Sequence, residues 1–252
     1  MKCCMIASLG VSPPVVCEVL ETLINHHYPI NDVVLLCTES NEVKKSALIV
    51  EKGIEYTYPH TRVHKIWLPF EDVRYENDLV ELMRTCAKVI RRERELYGCE
   101  RVFLNLTGGR KGIGVCLSIL GQMMDIDGLF YAVHFESGII NTSLERIRYL
   151  IDELYESEDK DGYYLKNKDE LERVLFPPEG SYNVIELPCL PYPKAYLGKV
   201  AVLLSSLNGV KTDGVDISEN DLNRLERVNL ITRVKDKIYP TELGSLLSSL
   251  WR

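Results

Sequence analysis

The sequence predicts an α/β fold built on a parallel β-sheet. Short apolar runs alternate with longer amphipathic segments over about the first 140 residues, which is the pattern of strands joined by helical crossovers. The runs are apolar almost without a break, as in strands whose two faces are both buried. Glycine-rich turns follow two of these runs. In open α/β folds such turns lie at the carboxyl edge of the sheet, where ligands bind.

Five strands with intervening helices are expected in this first part. Residues 2–9 form the first strand, and Ser12 with the prolines after it suits a helix start, serine as the N-cap and proline in the first turn. Further strands are expected at residues 32–38, 63–69, 101–106 and 129–135. Helices are expected from the Ser12-Pro13-Pro14 start to about residue 27 and at residues 41–52, then as one long helix ending before Gly98, and at residues 113–124.

The composition changes after about residue 140. Residues 144–156 predict an amphipathic helix, the charged stretch 157–180 an excursion or linker, and residues 182–190 a last strand. Prolines then mark a boundary, so we expect one domain over residues 1–190 and another over 191–252. The tail predicts two helices, two short strands and a closing helix, which is the pattern of a small winged helix-turn-helix domain.

Composition and charge restrict the function. The net charge of −7 argues against a protein that coats long nucleic acid. Residues 195–252 carry 8 Lys+Arg and 7 Asp+Glu, so DNA binding by the tail is open but not favoured, and a dimerisation or lid module on a winged-helix scaffold is the alternative. No run of about 18 apolar residues predicts a membrane span. The 8 cysteines lack metal-ligand spacing and lie mostly in apolar runs, which indicates reduced, buried thiols in a cytoplasmic protein without a metal site.

The strongest local signal is the segment NLTGGRKGIG, residues 105–114. Four glycines and two adjacent cations, Arg110 and Lys111, lie between a buried strand and an apolar helix. Glycines let the backbone approach a ligand closely, and a helix start favours an anion. The spacing fits neither the P-loop nor the dinucleotide fingerprint. A plain glycine-rich turn with solvated cations is the structural alternative.

A second signal, residues 10–14 (GVSPP), follows the first strand. Taken alone it indicates only a well-capped helix. In the predicted topology, however, the first and fourth strands lie close together, so the Ser12 hydroxyl would face the Arg110–Lys111 turn. One hydroxyl, two cations and several backbone donors would make a site for a phosphate.

Together the two motifs resemble the ligand motifs of CARF domains, the cyclic-oligoadenylate sensors of type III CRISPR systems. The segments SLGVSPPVV and LNLTGGRKG carry this resemblance, which covers about residues 1–140. The order of elements is similar to that of stand-alone archaeal ring nucleases. The resemblance implies a Rossmann-like parallel sheet, the CARF domain, followed by the winged-helix-like C-terminal domain.

By this resemblance, Ser12 and Lys111 match the catalytic serine and lysine of the family. The implied ligand-binding residues are Gly10, Val11, Thr107, Gly108, Gly109, Arg110 and Gly112. A homodimer would bind cyclic tetra-adenylate across its cleft and cut it without metal or cofactor, which would switch off antiviral signalling. The ribose 2′-OH would attack the adjacent phosphorus and leave linear di-adenylate with a 2′,3′-cyclic phosphate. Lys111 would stabilise the developing charge, and Ser12 would hold the 2′-oxygen or phosphate in line.

Three alternatives stay open. A CARF-type transcription regulator would share the sensor domain and bind DNA through the tail. An activated RNase effector usually carries a histidine in its C-terminal domain, yet no histidine follows His134. A non-catalytic nucleotide binder rests on fold analogy alone. Candidates for contacts to adenine are Tyr131, His134 and Glu136, near the end of the fifth strand.

Overall fold

The computed structural model describes residues 1–124, 126–135, 137–188 and 193–249, without the side chains of residues 137–141, 194 and 246. Its main sheet contains β1 (Cys3–Leu9), β2 (Ile30–Thr38), β3 (Arg62–Leu68), β4 (Arg101–Asn105), β5 (Gly128–His134) and β6 (Tyr182–Leu187). The strand order is β3-β2-β1-β4-β5-β6. The first five strands are parallel, and β6 pairs antiparallel with β5. The predicted α/β class is confirmed, and the sheet is parallel as expected except for β6.

Helices cover both faces of this sheet. They are α1 (Pro14–Asn25), α2 (Asn41–Thr57), α3 (Glu76–Arg91), α4 (Lys111–Met123), α5 (Ser137–Glu156), α6 (Lys160–Lys166) and α7 (Lys168–Leu175). Alternate residues of β1 enter two different cores. Cys3 and Met5 pack with α1, α2, α5, α6 and α7, whereas Cys4 and Ile6 pack with α3 and α4. Because both faces of β1 are buried, its sequence is apolar without alternation.

Two helix starts differ from the expectation. The N-cap of α1 is Pro13, without a side-chain cap, so Ser12 does not serve as the N-cap that its position suggests. Helix α4 begins at Lys111 and therefore includes Gly112 and Gly114 in its first turn. A Cβ on Gly114 would lie 3.0 Å from the carbonyl oxygen of Leu106. This close approach of backbone to backbone explains a glycine inside the helix.

The charged stretch after α5 is part of the main core, which corrects the expected excursion or linker. Helices α6 and α7 form there, and Tyr164, Leu171 and Leu175 are completely buried. Leu175 packs onto Gly53 of α2, where an added Cβ would lie 2.6 Å from its Cδ1 atom. A few buried apolar side chains thus anchor a segment whose charged residues are exposed or half-buried.

The tail contains α8 (Lys194–Ser205), β7 (Val210–Lys211), a 3-10 turn, α9 (Glu219–Arg227), β8 (Ile231–Val234), β9 (Lys237–Pro240) and α10 (Glu242–Ser248). Its three strands form an antiparallel sheet in the order β7-β9-β8. A short strand and a 3-10 turn occupy the segment between α8 and α9. The winged-helix class of the tail stays a prediction. The division at residue 190 also stays a prediction, because residues 189–192 lie outside the described part.

The described cysteines agree with the expectation of reduced, buried thiols. All seven described cysteines are free and buried, while Cys189 lies outside the described residues. Burial raises the pKa of Cys37 to about 12, so its thiol stays protonated near neutral pH. Within the described ranges, no helix has the length and apolar character that a membrane crossing requires.

Candidate anion-binding site

The turns after β1 and β4 are in direct backbone contact. These two strands are parallel neighbours, so their carboxyl ends meet at one edge of the sheet. A Cβ on Gly10 would lie 2.9 Å from the nitrogen of Gly109 and 3.0 Å from its Cα. A Cβ on Gly108 would collide with the carbonyl oxygen of Ser8, and Gly109 has a φ of +76°. Glycine is therefore required at the contact itself.

Hydrogen bonds fix the second turn against its neighbours. The Ser8 hydroxyl donates to the carbonyl of Gly108. The side chain of the buried Asn105 accepts from the Thr107 N–H at 2.9 Å and donates to the carbonyl of Val15 in α1, also at 2.9 Å. Asn105 thereby joins the turn to α1. Sequence reasoning missed this residue, although an asparagine at the end of an apolar strand is a signal of such a role.

The start of α4 is electrostatically uncompensated. Arg110 is the N-cap with extended backbone, and neither a capping side chain nor an acidic residue occupies the first turn. The unpaired N–H groups and the positive end of the helix dipole therefore favour an anion here. Lys111 is exposed and makes no ion pair with the described residues. The exposed Arg110 Nε lies 3.6 Å from Asp72 Oδ2, which is a weak, solvent-screened pair.

Two cavities flank the turn and share Gly109 and Arg110. The first, of about 320 Å³, is the Tyr131 cavity, and its further lining includes Thr107, Gly108, Lys111, Val115 and Leu187. The second, of about 370 Å³, is the Glu71 cavity, and its further lining includes Gly10, Val11, Thr38 and Ser40. Both volumes are in the range of small-molecule sites. A phosphate at the start of α4 would lie between them.

The predicted site residues are therefore largely brought together. Gly10, Val11, Thr107, Gly108, Gly109, Arg110 and Lys111 line one or both cavities. Ser12 follows directly on Val11 but lines neither cavity, and the same holds for Gly112. A Cβ on Gly112 would lie 3.8 Å from Val73, an ordinary contact, so this glycine is not required by its surroundings. The Thr107 hydroxyl accepts from the Ala132 N–H at 2.7 Å and so joins the turn to β5.

The candidates for contacts to adenine differ in their surroundings. Tyr131 is 44% exposed and lines the Tyr131 cavity, so its ring is available for a ligand. His134 is mostly buried, and its Nε2 lies 2.7 Å from Glu18 Oε1. Glu136 lies outside the described residues.

Glu18 is a buried carboxylic acid on α1. Its side chain is completely buried, and its Oε2 has no hydrogen-bond partner. Burial raises the pKa of Glu18 above its usual value of 4.5, and the hydrogen bond from His134 opposes this shift only in part. The pair joins α1 to the end of β5.

One cluster at the opposite edge of the sheet has the composition of a metal site. The ligand atoms of Asp32, Glu93 and Cys99 all lie within 4.8 Å of one another. However, the Asp32 carboxylate contacts Lys2 Nζ at 3.0 Å, Arg62 Nη2 at 2.9 Å and His64 Nε2 at 3.0 Å. Burial raises the pKa of Asp32, but these three hydrogen bonds together lower it below its usual value. The cations of the chain thus neutralise this carboxylate.

Comparisons with known proteins support the fold and relate the chain to CRISPR-associated proteins. The chain is 29% identical over 122 residues to the CRISPR system ring nuclease SSO2081 of Saccharolobus solfataricus, a match over 47% of this chain and 64% of that relative. The chain thus spans less than two thirds of the relative. Csm6 of Enterococcus italicus, solved bound to cyclic hexa-2′-fluoro-hexa-dAMP, matches with a TM-score of 0.52 and 14% identity, over 82% of this chain and 46% of that chain.

A second solved structure, a type III CRISPR defence DNA nuclease activated by cyclic oligoadenylate, matches with a TM-score of 0.38 and 15% identity, over 70% of this chain and 31% of that one. The likeness to Csm6 supports a CARF-like fold. The family model of the CRISPR-associated protein NE0113 matches residues 12–200, a range that includes Ser12, the Arg110–Lys111 turn and the complete main sheet from β2 onward. The chain belongs to this family of CRISPR-associated proteins, Cas_NE0113.

Proposed function

We propose that this protein is a ring nuclease that binds cyclic tetra-adenylate and cuts it, without a metal, into linear di-adenylate with 2′,3′-cyclic phosphate ends. Its role would be to switch off type III CRISPR antiviral signalling. The observation that carries the proposal is the backbone contact between Gly10 and Gly109. This contact sets the Ser12 turn against the cationic start of α4. The similarity to a protein named as a ring nuclease supports the proposed activity.

The reaction needs positioning and charge stabilisation more than covalent chemistry by the protein. The ribose 2′-oxygen attacks the adjacent phosphorus, the bond to the 5′-oxygen breaks, and the proton lost by the 2′-OH is balanced by protonation of the 5′-oxygen. A phosphate at the start of α4 receives backbone N–H groups and the positive charge of Lys111. Ser12 does not cap α1, and its hydroxyl would hold the 2′-oxygen or the phosphate in line.

A homodimer follows from the symmetry of the substrate and fits the surface of α4. Val115 and Ile119 lie one helical turn apart on α4 and are 59% and 44% exposed. This apolar face begins one turn after Lys111, and Val115 also lines the Tyr131 cavity. A two-fold axis beside it would place Ser12 and Lys111 of each copy over opposite phosphates. Two cuts per ring result from that arrangement.

The test is cleavage of labelled cyclic tetra-adenylate in the presence of EDTA. Linear di-adenylate is expected, and an intact ring after long incubation would refute the nuclease. Lys111→Ala should lower the rate by about 100- to 1000-fold, because it removes a preorganised charge. Ser12→Ala should lower it less. Lys88→Ala is the matched control, since Lys88 is an exposed lysine of α3 away from both cavities.

DNA binding by the tail is the weaker alternative. Arg233 of β8 lies 2.6 Å from Glu219 and 3.4 Å from Glu226 of α9, so one cation of the hairpin is already paired. Specific promoter binding in a gel shift, without turnover of the ring, would favour a CARF-type transcription regulator instead.

A further inference from the structure

The Glu71 cavity contains a carboxylate that a phosphate site does not explain. Thr38, Ser40 and Val43 line one side of this cavity, and Gly109 with Arg110 lies at its border with the α4 turn. Glu71 is exposed toward it. A negative charge beside a phosphate weakens phosphate binding, because like charges repel. The carboxylate therefore needs a different role in the same cavity.

A backbone hydrogen bond holds the residue before Glu71, and a weak side-chain pair engages the residue after it. The carbonyl of Phe70 accepts a hydrogen bond from the Glu39 N–H at 3.2 Å. On the other side, Asp72 pairs with Arg110 at 3.6 Å. Within the described residues, no hydrogen bond or ion pair engages the Glu71 carboxylate itself. The segment thus holds an acceptor at the cavity and leaves it open for a donor from a ligand.

Hydroxyl groups supply the complementary part of the cavity. The Ser40 oxygen accepts from the Val43 N–H at 3.3 Å, so its proton is still available to donate. Thr38 is almost completely buried and also lines the cavity, so its hydroxyl is the second candidate donor. One carboxylate acceptor with two hydroxyl donors matches a ring that carries an amino group beside acceptor nitrogens. Among nucleobases, adenine has this arrangement.

We propose that the Glu71 cavity receives an adenine base and that the Glu71 carboxylate accepts a hydrogen bond from its amino group. This inference rests on the proposed function, because it assigns a base site next to the phosphate of the same ligand. Hypoxanthine carries a carbonyl oxygen at the position of the amino group. In the pose that places position 6 against Glu71, that oxygen would face the carboxylate, and the N1–H of hypoxanthine would replace an acceptor nitrogen of adenine. Glu71 therefore makes the site selective for adenine.

The experiment compares two rings that lack a 2′-hydroxyl, 2′-fluoro cyclic tetra-adenylate and 2′-fluoro cyclic tetra-inosinate, by calorimetric titration. Neither ring can be cut by attack of a 2′-oxygen, and neither offers a ribose 2′-OH to Glu71. Glu71→Gln keeps the shape and replaces the carboxylate with an amide that donates as well as accepts. Glu76→Gln, at an exposed glutamate outside the cavity, removes the same charge and is the matched control.

The wild-type protein should prefer the adenine ring by about 10- to 100-fold, the range of a hydrogen bond to a charged group. Glu71→Gln should abolish most of this preference, and Glu76→Gln should keep it. An unchanged preference in Glu71→Gln would overturn the assignment of Glu71, and so would a wild-type protein that binds both rings equally. A wild-type protein that binds neither ring would also overturn the base assignment, whereas the proposed function is refuted separately, by the absence of cleavage of the native ring.

Discussion

Substitution of Gly10 tests whether the contact between the two turns is rigid. In Gly10→Ala the new Cβ would lie 2.9 Å from the nitrogen of Gly109, whereas ordinary contacts begin at 3.4 Å. The turns must therefore separate by about half an ångström. Overpacking against a fixed neighbour lowers the free energy of unfolding by about 1–3 kcal/mol. Since the separation also shifts Ser12 away from the α4 turn, we expect the cleavage rate to fall by about 10- to 100-fold.

The assay is urea unfolding followed by tryptophan fluorescence, with ring cleavage measured on the same preparations. Gly112→Ala is the first control, because its Cβ would lie 3.8 Å from the nearest atom, and its unfolding free energy should not fall. Gly198→Ala is the second, a helical position with nothing within 4 Å, and it should gain about 0.5–1 kcal/mol. If Gly10→Ala is as stable and as active as Gly112→Ala, the turns are not held in rigid contact.

Three further predictions concern charged groups. Because burial raises the pKa of Glu18 above 4.5, the stabilisation that protonated Glu18 contributes is fully present below pH 4.5 and is lost as pH rises through the raised value; the difference in unfolding free energy between wild type and Glu18→Gln in urea titrations should change with pH in this sense. Asp32 has a lowered pKa, so its stabilisation is present above pH 3.8 and lost as pH falls through the folded-state value. Asp32→Asn should lower the unfolding free energy at pH 7 by about 1–3 kcal/mol, less than for a fully buried pair because its partners are partly exposed. Asp72→Asn frees Arg110 and should tighten ring binding by up to about fivefold at low salt and less at high salt. If the variant and the wild type bind the ring with the same affinity at both salt concentrations, this prediction is wrong.

The sheet was predictable from the sequence because a strand that is buried on both faces is a continuous apolar run. Strand β1 is buried at every residue, so it appears as one apolar run. The segment of α6 and α7 was not predictable on the same basis. Its charged residues dominate the composition, while only a few positions such as Tyr164 and Leu175 enter the core.

The site divides in a similar way. The NLTGGRKG motif predicts an anion site, because its glycines and cations are neighbours in the sequence. Glu71 belongs to a loop after β3, and it reaches the α4 turn only because β3, β2, β1 and β4 lie in that order. Asn105 was overlooked because a polar residue at a strand end has many roles, and its two hydrogen bonds depend on the tertiary fold.

The hydrogen bond from Ser8 to Gly108 joins residues 100 positions apart. Closing a loop of that length costs conformational entropy before the contact gains anything, and folds dominated by such pairings form slowly. During synthesis, the first strand with its SPP turn emerges long before its partner. The anion site therefore cannot exist on a nascent chain until β4 inserts beside β1. In a refolding experiment, the appearance of ligand binding would show when β1 and β4 have paired.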